Sequence, residues 1–206
     1  MKIIEREILP FQEKDFFAPI RDKASFARLV VCAARHLLLD NVGASAMETS
    51  KMKLIVDKMS RLFFYKNNKY FSVAFPLTVF IDRKNVTEIT TYSGKKLDFV
   101  NISAVISILD SEYFRNHPSL IDFPIEPMSI EASGIYFLEE IMQFEPSYIR
   151  YDNDPDNQNG KLHPLDHLDI NYSQYGTYKI GLSKSISGVY FENLQNINTD
   201  CIFISD

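Results

Sequence analysis

The chain has no Trp, 7 Gly and 2 Cys. Each shortage excludes something. So few Gly argue against a glycine-rich nucleotide-binding fold, so no nucleotide cofactor is expected. Cys32 and Cys201 lie far apart and have no metal-like spacing. Cys32 sits in the apolar run LVVCAARHLLL and reads as a small core residue. Free thiols in a reducing cytoplasm are the expectation. No apolar run is long enough to span a bilayer, so no membrane partner is expected. The opening segment MKIIEREILPFQEKD lacks an apolar signal core, which again points to the cytoplasm. There is no dense Lys/Arg run either. With a net charge of −5, that argues against broad coating of nucleic acid.

What is present is ordinary in bulk and uneven in distribution. Apolar residues make up 46% and charged ones 24%, the balance of a globular protein. A chain of 206 residues fits one domain. Residues 1–100 carry 17 Lys+Arg against 11 Asp+Glu, and residues 101–206 carry 5 against 16. Such polarity either draws the two halves together or offers a basic face to nucleic acid or to an acidic protein partner.

Hydrophobic spacing predicts a single α+β domain over 1–206, an N-terminal helical hairpin packed on a largely antiparallel β-sheet. Pro10 and Pro19 break an irregular or short-strand lead-in. Over Lys23–Leu39, Phe26, Val30, Ala33 and Leu37 recur at helical spacing. Asp40–Gly43 ends that helix with turn residues. Ser45 and Glu48 have the form of a capping box, and Met52, Ile55, Val56, Met59, Leu62 and Phe63 follow at i, i+3, i+4, i+7. The hairpin is therefore expected over 23–66. Tyr70–Ile81 and Val86–Tyr92 are rich in β-branched and aromatic residues and predict strands over 70–92. Asp82–Asn85 turns between them, and Pro76 places part of the first run at an edge or bulge. Residues 98–144 read as mainly helical, around a Pro-rich loop at Asn116–Pro127. Residues 147–206 read as an antiparallel sheet carrying a polar cluster. Strands are expected at Ser147–Asn153, His167–Ser173 and Thr177–Leu182, a short helix at Ile186–Leu194 and a terminal strand at Cys201–Ile204.

The cluster lies in Tyr148–Tyr172, YIRYDNDPDNQNGKLHPLDHLDINY, which holds one Arg, five Asp and two of the four His. Side chains alternate across a strand. Arg150, Asp152 and Asp154 thus share one face, and His167, Asp169 and Asn171 share one face of the next strand. If the two strands pair, their apolar sets must coincide: Ile149 and Tyr151 with Leu168, Ile170 and Tyr172. The polar faces then coincide as well, with His163 entering from the loop. Gly160 suits a positive φ in that loop.

Three chemistries are open to such a patch. Asp152, Asp154 and Asp156 match the first ligand positions of a calcium-binding EF-hand loop. However, Asn157 stands where Gly is required and His163 where the bidentate Glu belongs. A transition metal could use His163 and His167 with Asp169, and with Asp166 near. Metal-free acid–base chemistry on a phosphodiester would use His167 as proton relay, Arg150 as anion clamp and Asp152 or Asp169 to orient the imidazole. The plain alternative is a solvent-facing sheet surface with weak Arg–Asp pairs. His36, in an apolar helix, and His117, before Pro118, offer no comparable company.

The run Arg150-Tyr-Asp152-Asn-Asp154-Pro155, followed by His163-Pro164-Leu-Asp-His167-Leu168, resembles an uncharacterised bacterial family catalogued as a domain of unknown function. Its members carry a similar Arg-x-Asp run and then His-Pro-x-x-His-Leu. The likeness covers about a quarter of the chain. Some look-alikes sit beside bacterial defence or toxin–antitoxin genes. The resemblance therefore implies an effector that acts on nucleic acid. Asp169-Ile170 stands here where a Thr/Ser-rich continuation is expected. Two functions follow from the sequence. One is a nuclease or phosphodiester hydrolase, with or without a divalent metal, acting on a phosphate-bearing ligand such as RNA through Arg150, Asp152, His163, His167 and Asp169. The other is a non-enzymatic interaction or structural module.

Overall fold

A computed structural model describes residues 1–39, 50–67, 69–83, 85–124, 130–172, 175–201 and 203. In chain order its elements are β1 (Lys2–Ile8), α1 (Glu13–Phe16), α2 (Lys23–Leu38), β2 (Ser50–Val56), β3 (Ser60–Lys66), β4 (Lys69–Ala74), β5 (Thr78–Asp82), β6 (Asn85–Thr90), α3 (Phe99–Asp110), α4 (Glu112–Asn116), α5 (Ile130–Met142), β7 (Ile149–Asn153), β8 (Asp166–Ile170), β9 (Tyr178–Gly181) and α6 (Gly188–Asn193). The class is α+β, with N-terminal helical sequence and a multi-stranded antiparallel sheet. Two compact units divide the chain. One comprises Met1–Pro10, Ser45–Ala74 and Ser147–Asp206, the other Phe11–Ala44 and Phe75–Pro146. No helix among the described residues is long and apolar enough to cross a membrane.

The second unit combines helices α1 to α5 with the β5–β6 hairpin. Asp22 caps α2 by accepting from the Ser25 amide at 2.7 Å, and Asp98 caps α3 in the same way at 2.8 Å from Asn101. Phe26, Val30, Ala33 and Leu37 are all buried, as their spacing predicts. Helix α5 runs through Gly134 without a break. The β5–β6 hairpin turns at the expected place, with Arg83 at φ +55°. The run expected as one strand over 70–81 is divided at Phe75-Pro76. Proline has no amide to donate, so β4 ends at Ala74, and the strand that begins at Thr78 pairs in a separate two-stranded sheet with β6.

The first unit is a seven-stranded antiparallel sheet in the order β1-β2-β3-β4-β7-β8-β9. It corrects the expected helical hairpin. Residues 50–66 form the β2–β3 hairpin, not a second helix. The cause is that both faces of these strands are buried: Leu54 and Ile55 are each at most 3% exposed, and Leu62, Phe63 and Phe64 are fully buried. A strand apolar on both sides shows no clean alternation, so its residues also fit a helical stripe. The β-branched and aromatic content of Ile55, Val56, Phe63, Phe64 and Tyr65 decides for strand. Arg61 is half-buried and donates to Ser72 Oγ at 3.0 Å and to the Ser147 carbonyl at 2.6 Å. The expected Asp40–Gly43 turn and Ser45–Glu48 capping box lie outside the described residues, as does half of the proposed terminal strand at Cys201–Ile204.

Pairing parity gives the sheet two faces. On one, Ile55, Phe63, Tyr151 and Leu168 pack with Phe191 of α6 into an apolar cluster. On the other, Met52, Leu54, Phe64 and Phe71 continue across the sheet into Arg150, Asp152, His167 and Asp169.

Candidate metal and phosphate site

Register sets the site. Arg150 pairs with Asp169 and Asp152 with His167 across β7–β8, as strand parity predicts. Lys69 of β4 pairs with Asp152 from the other side. The patch is not the solvated sheet surface of the plain alternative. Asp152 is 5% exposed, His167 1% and Asp169 2%. Burying such groups is costly unless they are paired, so this arrangement needs its partners.

Arg150 supplies the central partner. Its Nε donates to Asp152 Oδ2 at 2.6 Å and its Nη2 donates to Asp169 Oδ2. The third corner of the guanidinium, Nη1, reaches the Tyr148 hydroxyl at 3.3 Å. Burial alone would lower the Arg150 pKa; Tyr148, Asp152 and Asp169 outweigh it and hold the group above its ordinary value. Burial raises the Tyr148 hydroxyl, and nearby Arg150 only partly offsets this. Asp169 Oδ1 accepts from Thr177 Oγ1 at 3.1 Å.

His167 is oriented by the backbone. Its Nδ1 lies 2.9 Å from the Pro164 carbonyl oxygen. A carbonyl only accepts, so Nδ1 carries a proton. In the neutral ring Nε2 then has a free lone pair. The Pro164 turn can come this close because residue 181 is glycine: a Cβ there would lie 2.9 Å from Pro164 Cγ. Gly160, in the same β7–β8 connection, takes the expected positive φ, +50°.

Two acceptors form no hydrogen bond among the described residues. His167 Nε2 lies 3.9 Å from Asp152 Oδ2, with no donor between them. Asp152 Oδ1 is buried and forms no hydrogen bond. Lys69 Nζ pairs with that oxygen electrostatically at 3.2 Å but is not aligned to donate to it. One ligand atom each from Asp152, His167 and Asp169 lies within 4.8 Å of the others. Two carboxylates and an imidazole whose second nitrogen is fixed by a carbonyl form a donor set suited to a divalent cation.

The other predicted residues lie around this triad. The His163 ring packs edge-on against His167 at 4.5 Å between centroids, and its Nε2 is 4.0 Å from Asp154 Oδ2. Asp154 accepts from Asn157 Nδ2 at 3.0 Å and from the Asn157 amide at 3.3 Å, which lowers its pKa. It serves the loop rather than the triad, and Asp156 is exposed. Asp166, expected near the metal candidates, belongs to the opposite face. Its Oδ1 accepts from the Tyr151 hydroxyl at 2.5 Å and from Asn153 Nδ2 at 2.9 Å.

A cleft of about 400 Å³ opens beside the triad, lined by Lys66, Asn67, Lys69, Asp152, Asn153, Asp154 and Asn157. Sequence reasoning missed Lys66, Lys69, Tyr148 and Thr177. Tyr148 and Thr177 flank the two strands and were within reach of the parity argument. The lysines were not, because only the β4–β7 pairing brings Lys69 to Asp152. Comparison with family models, with curated proteins and with solved structures finds no match to this chain, so the functional reading rests on the chemistry of the site.

Proposed function

We propose that Asp152, His167 and Asp169 hold a divalent cation, and that the adjoining cleft binds and cleaves a phosphate-bearing ligand such as RNA. The observation that supports this most is the spare coordination among the described residues: a buried Asp152 Oδ1 that has an ion-pair partner in Lys69 but no hydrogen bond, and a His167 Nε2 that faces the Asp152 carboxylate at 3.9 Å while Nδ1 is held by Pro164. A divalent cation supplies positive charge at a phosphoryl oxygen and acidifies a water. The chain's own residues do the rest. Pro164 fixes the His167 tautomer. Thr177 and Arg150 hold Asp169, and Arg150 steadies Asp152 through Oδ2 while Oδ1 stays available. With a cation held at Oδ1, Lys69 would be released from that oxygen and would, with Lys66, face a phosphate in the cleft. Cleavage of RNA through its own 2′-hydroxyl needs little more than a positioned base and charge stabilisation. The likeness of the Arg150–Asp154 and His163–Leu168 motifs to a bacterial family supports a cytoplasmic defence or toxin-like effector.

A second reading has one observation in its favour. Arg150 and Lys69 balance Asp152 and Asp169 without any added ion. On that reading the network rigidifies the sheet of a non-enzymatic module. One experiment separates the two. Wild type and His167→Ala are incubated with mixed RNA and DNA, with Mn²⁺ or Mg²⁺ and with chelator. The proposal expects cleavage by wild type that chelator abolishes and the variant lacks. No cleavage, or equal cleavage by both proteins, overturns it.

A further inference from the structure

Lys69 stands where two kinds of ligand meet. It is the first residue of β4, and the register sets it opposite Asp152 on one side and opposite Lys66 on the other. Lys66 and Lys69 both line the cleft. Like charges directly opposite on neighbouring strands repel each other, and an anion in the cleft would relieve that repulsion. At Asp152 the same lysine has a different task. Its Nζ lies 3.2 Å from Oδ1, the buried oxygen that forms no hydrogen bond. The Lys69 side chain is 50% exposed, whereas that of Asp152 is 7% exposed. The carboxylate is also held by Arg150 Nε at Oδ2, 2.6 Å away. The ammonium can therefore leave while the carboxylate stays in place.

Charge balance says when it leaves. Arg150 and Lys69 are two cations beside two anions, Asp152 and Asp169, so their charges sum to zero. Lys66 and Asp154, the other charged residues that line the cleft, also cancel. A divalent cation added to this set leaves two positive charges in excess, and uncompensated charge beside buried groups is costly. The cation and the Lys69 ammonium repel each other at Oδ1. An anion in the cleft removes the excess and gives Lys69 a second partner.

We infer that Lys69 exchanges Asp152 Oδ1 for a phosphate oxygen, so that the site takes a divalent cation and a phosphate as a pair. Lys69 competes with the cation for Oδ1, and phosphate ends the competition by drawing Lys69 away. Each ligand then strengthens the other by the same factor. The inference rests on the cation and phosphate reading above and adds the coupling between them.

The test titrates Mn²⁺ into the full chain, read by electron paramagnetic resonance, for wild type, Lys69→Met and Lys179→Met. The titration is repeated in sulfate, a tetrahedral dianion that stands for phosphate and holds free Mn²⁺ only weakly. Methionine keeps the apolar stem of lysine and removes its charge. Lys179 controls for charge alone: it lies opposite Asp169 in the β8–β9 register and is exposed, while the ion-pair partner of Asp169 is Arg150. Lys69→Met is expected to bind Mn²⁺ about fivefold more tightly than wild type, and Lys179→Met to stay within about twofold of it. Sulfate is expected to tighten Mn²⁺ on wild type about fivefold and to change Lys69→Met by less than about twofold. Unchanged or weaker Mn²⁺ binding in Lys69→Met, or equal tightening in both variants, overturns the exchange and leaves the cation site standing. So does a sulfate effect that is absent from wild type or equal in wild type and Lys69→Met. No Mn²⁺ bound by any of the three proteins overturns the cation reading and this inference with it.

Discussion

Two ionic networks in the seven-stranded unit differ in what they leave open. In the first, Lys53 Nζ lies 2.9 Å from both carboxylate oxygens of Glu192, and the Tyr65 hydroxyl donates to Glu192 Oε1. Burial and that carboxylate both push the Tyr65 pKa up. Both Glu192 oxygens have donors. The network is closed, and it ties β2 and β3 to α6. In the second, Arg150 spans Asp152 and Asp169, yet Asp152 Oδ1 and His167 Nε2 keep unused lone pairs beside a cleft. A network built only for cohesion has no reason to leave a buried acceptor without a hydrogen bond, since that costs about 1–3 kcal/mol. Spare coordination is what distinguishes the candidate site from a structural ion pair.

The largest effect should come from breaking the open network. Arg150→Ala leaves buried Asp169 without a cation and Asp152 with Lys69 alone, and we expect it to destabilise the protein by about 3–5 kcal/mol. Chemical denaturation reads this, and a loss below about 1 kcal/mol would contradict the pairing described. Next in size is the cation itself. Mn²⁺ at a hundredfold excess over its Kd should stabilise wild type by about 2.7 kcal/mol and do nothing for Asp169→Asn, as thermal melting would show. Gly181→Ala should cost about 1–3 kcal/mol through overpacking against Pro164. Because Pro164 holds His167, it should also weaken cation binding, which a Mn²⁺ titration would detect; an unchanged affinity would detach the proline from the site. The closed network should respond least. Replacing Lys53, Tyr65 and Glu192 together by Met, Phe and Leu removes both charges and the hydroxyl that Glu192 holds, and should be close to neutral. If this replacement proved as costly as Arg150→Ala, the contrast between the networks would fail.

The legibility of the molecule follows the range of its interactions. Caps, turns and the faces of β7 and β8 are local, so Arg150, Asp152, His167 and Asp169 could be placed together before any coordinates. Their burial could not, because it depends on neighbouring strands. The helix expected from Ser45 onward gives way to strands over the described residues 50–66 because Leu54, Ile55, Phe63 and Phe64 are buried on both sides of a central hairpin, which erases the two-residue period. Lys69 was invisible because β4 and β7 are adjacent only in space. Asp166 was misplaced because residue type suggested a ligand, whereas strand parity assigns it to the Tyr151 face.

The central claim is that the triad coordinates a divalent cation. Desalted wild type and Asp152→Asn, both shown folded by circular dichroism, are titrated with Mn²⁺, and bound metal is read by electron paramagnetic resonance. We expect one equivalent on wild type and at least a tenfold weaker site in the variant. Saturable binding that is identical in both, or no bound Mn²⁺ on wild type at millimolar metal, would contradict the claim and leave the network a structural one.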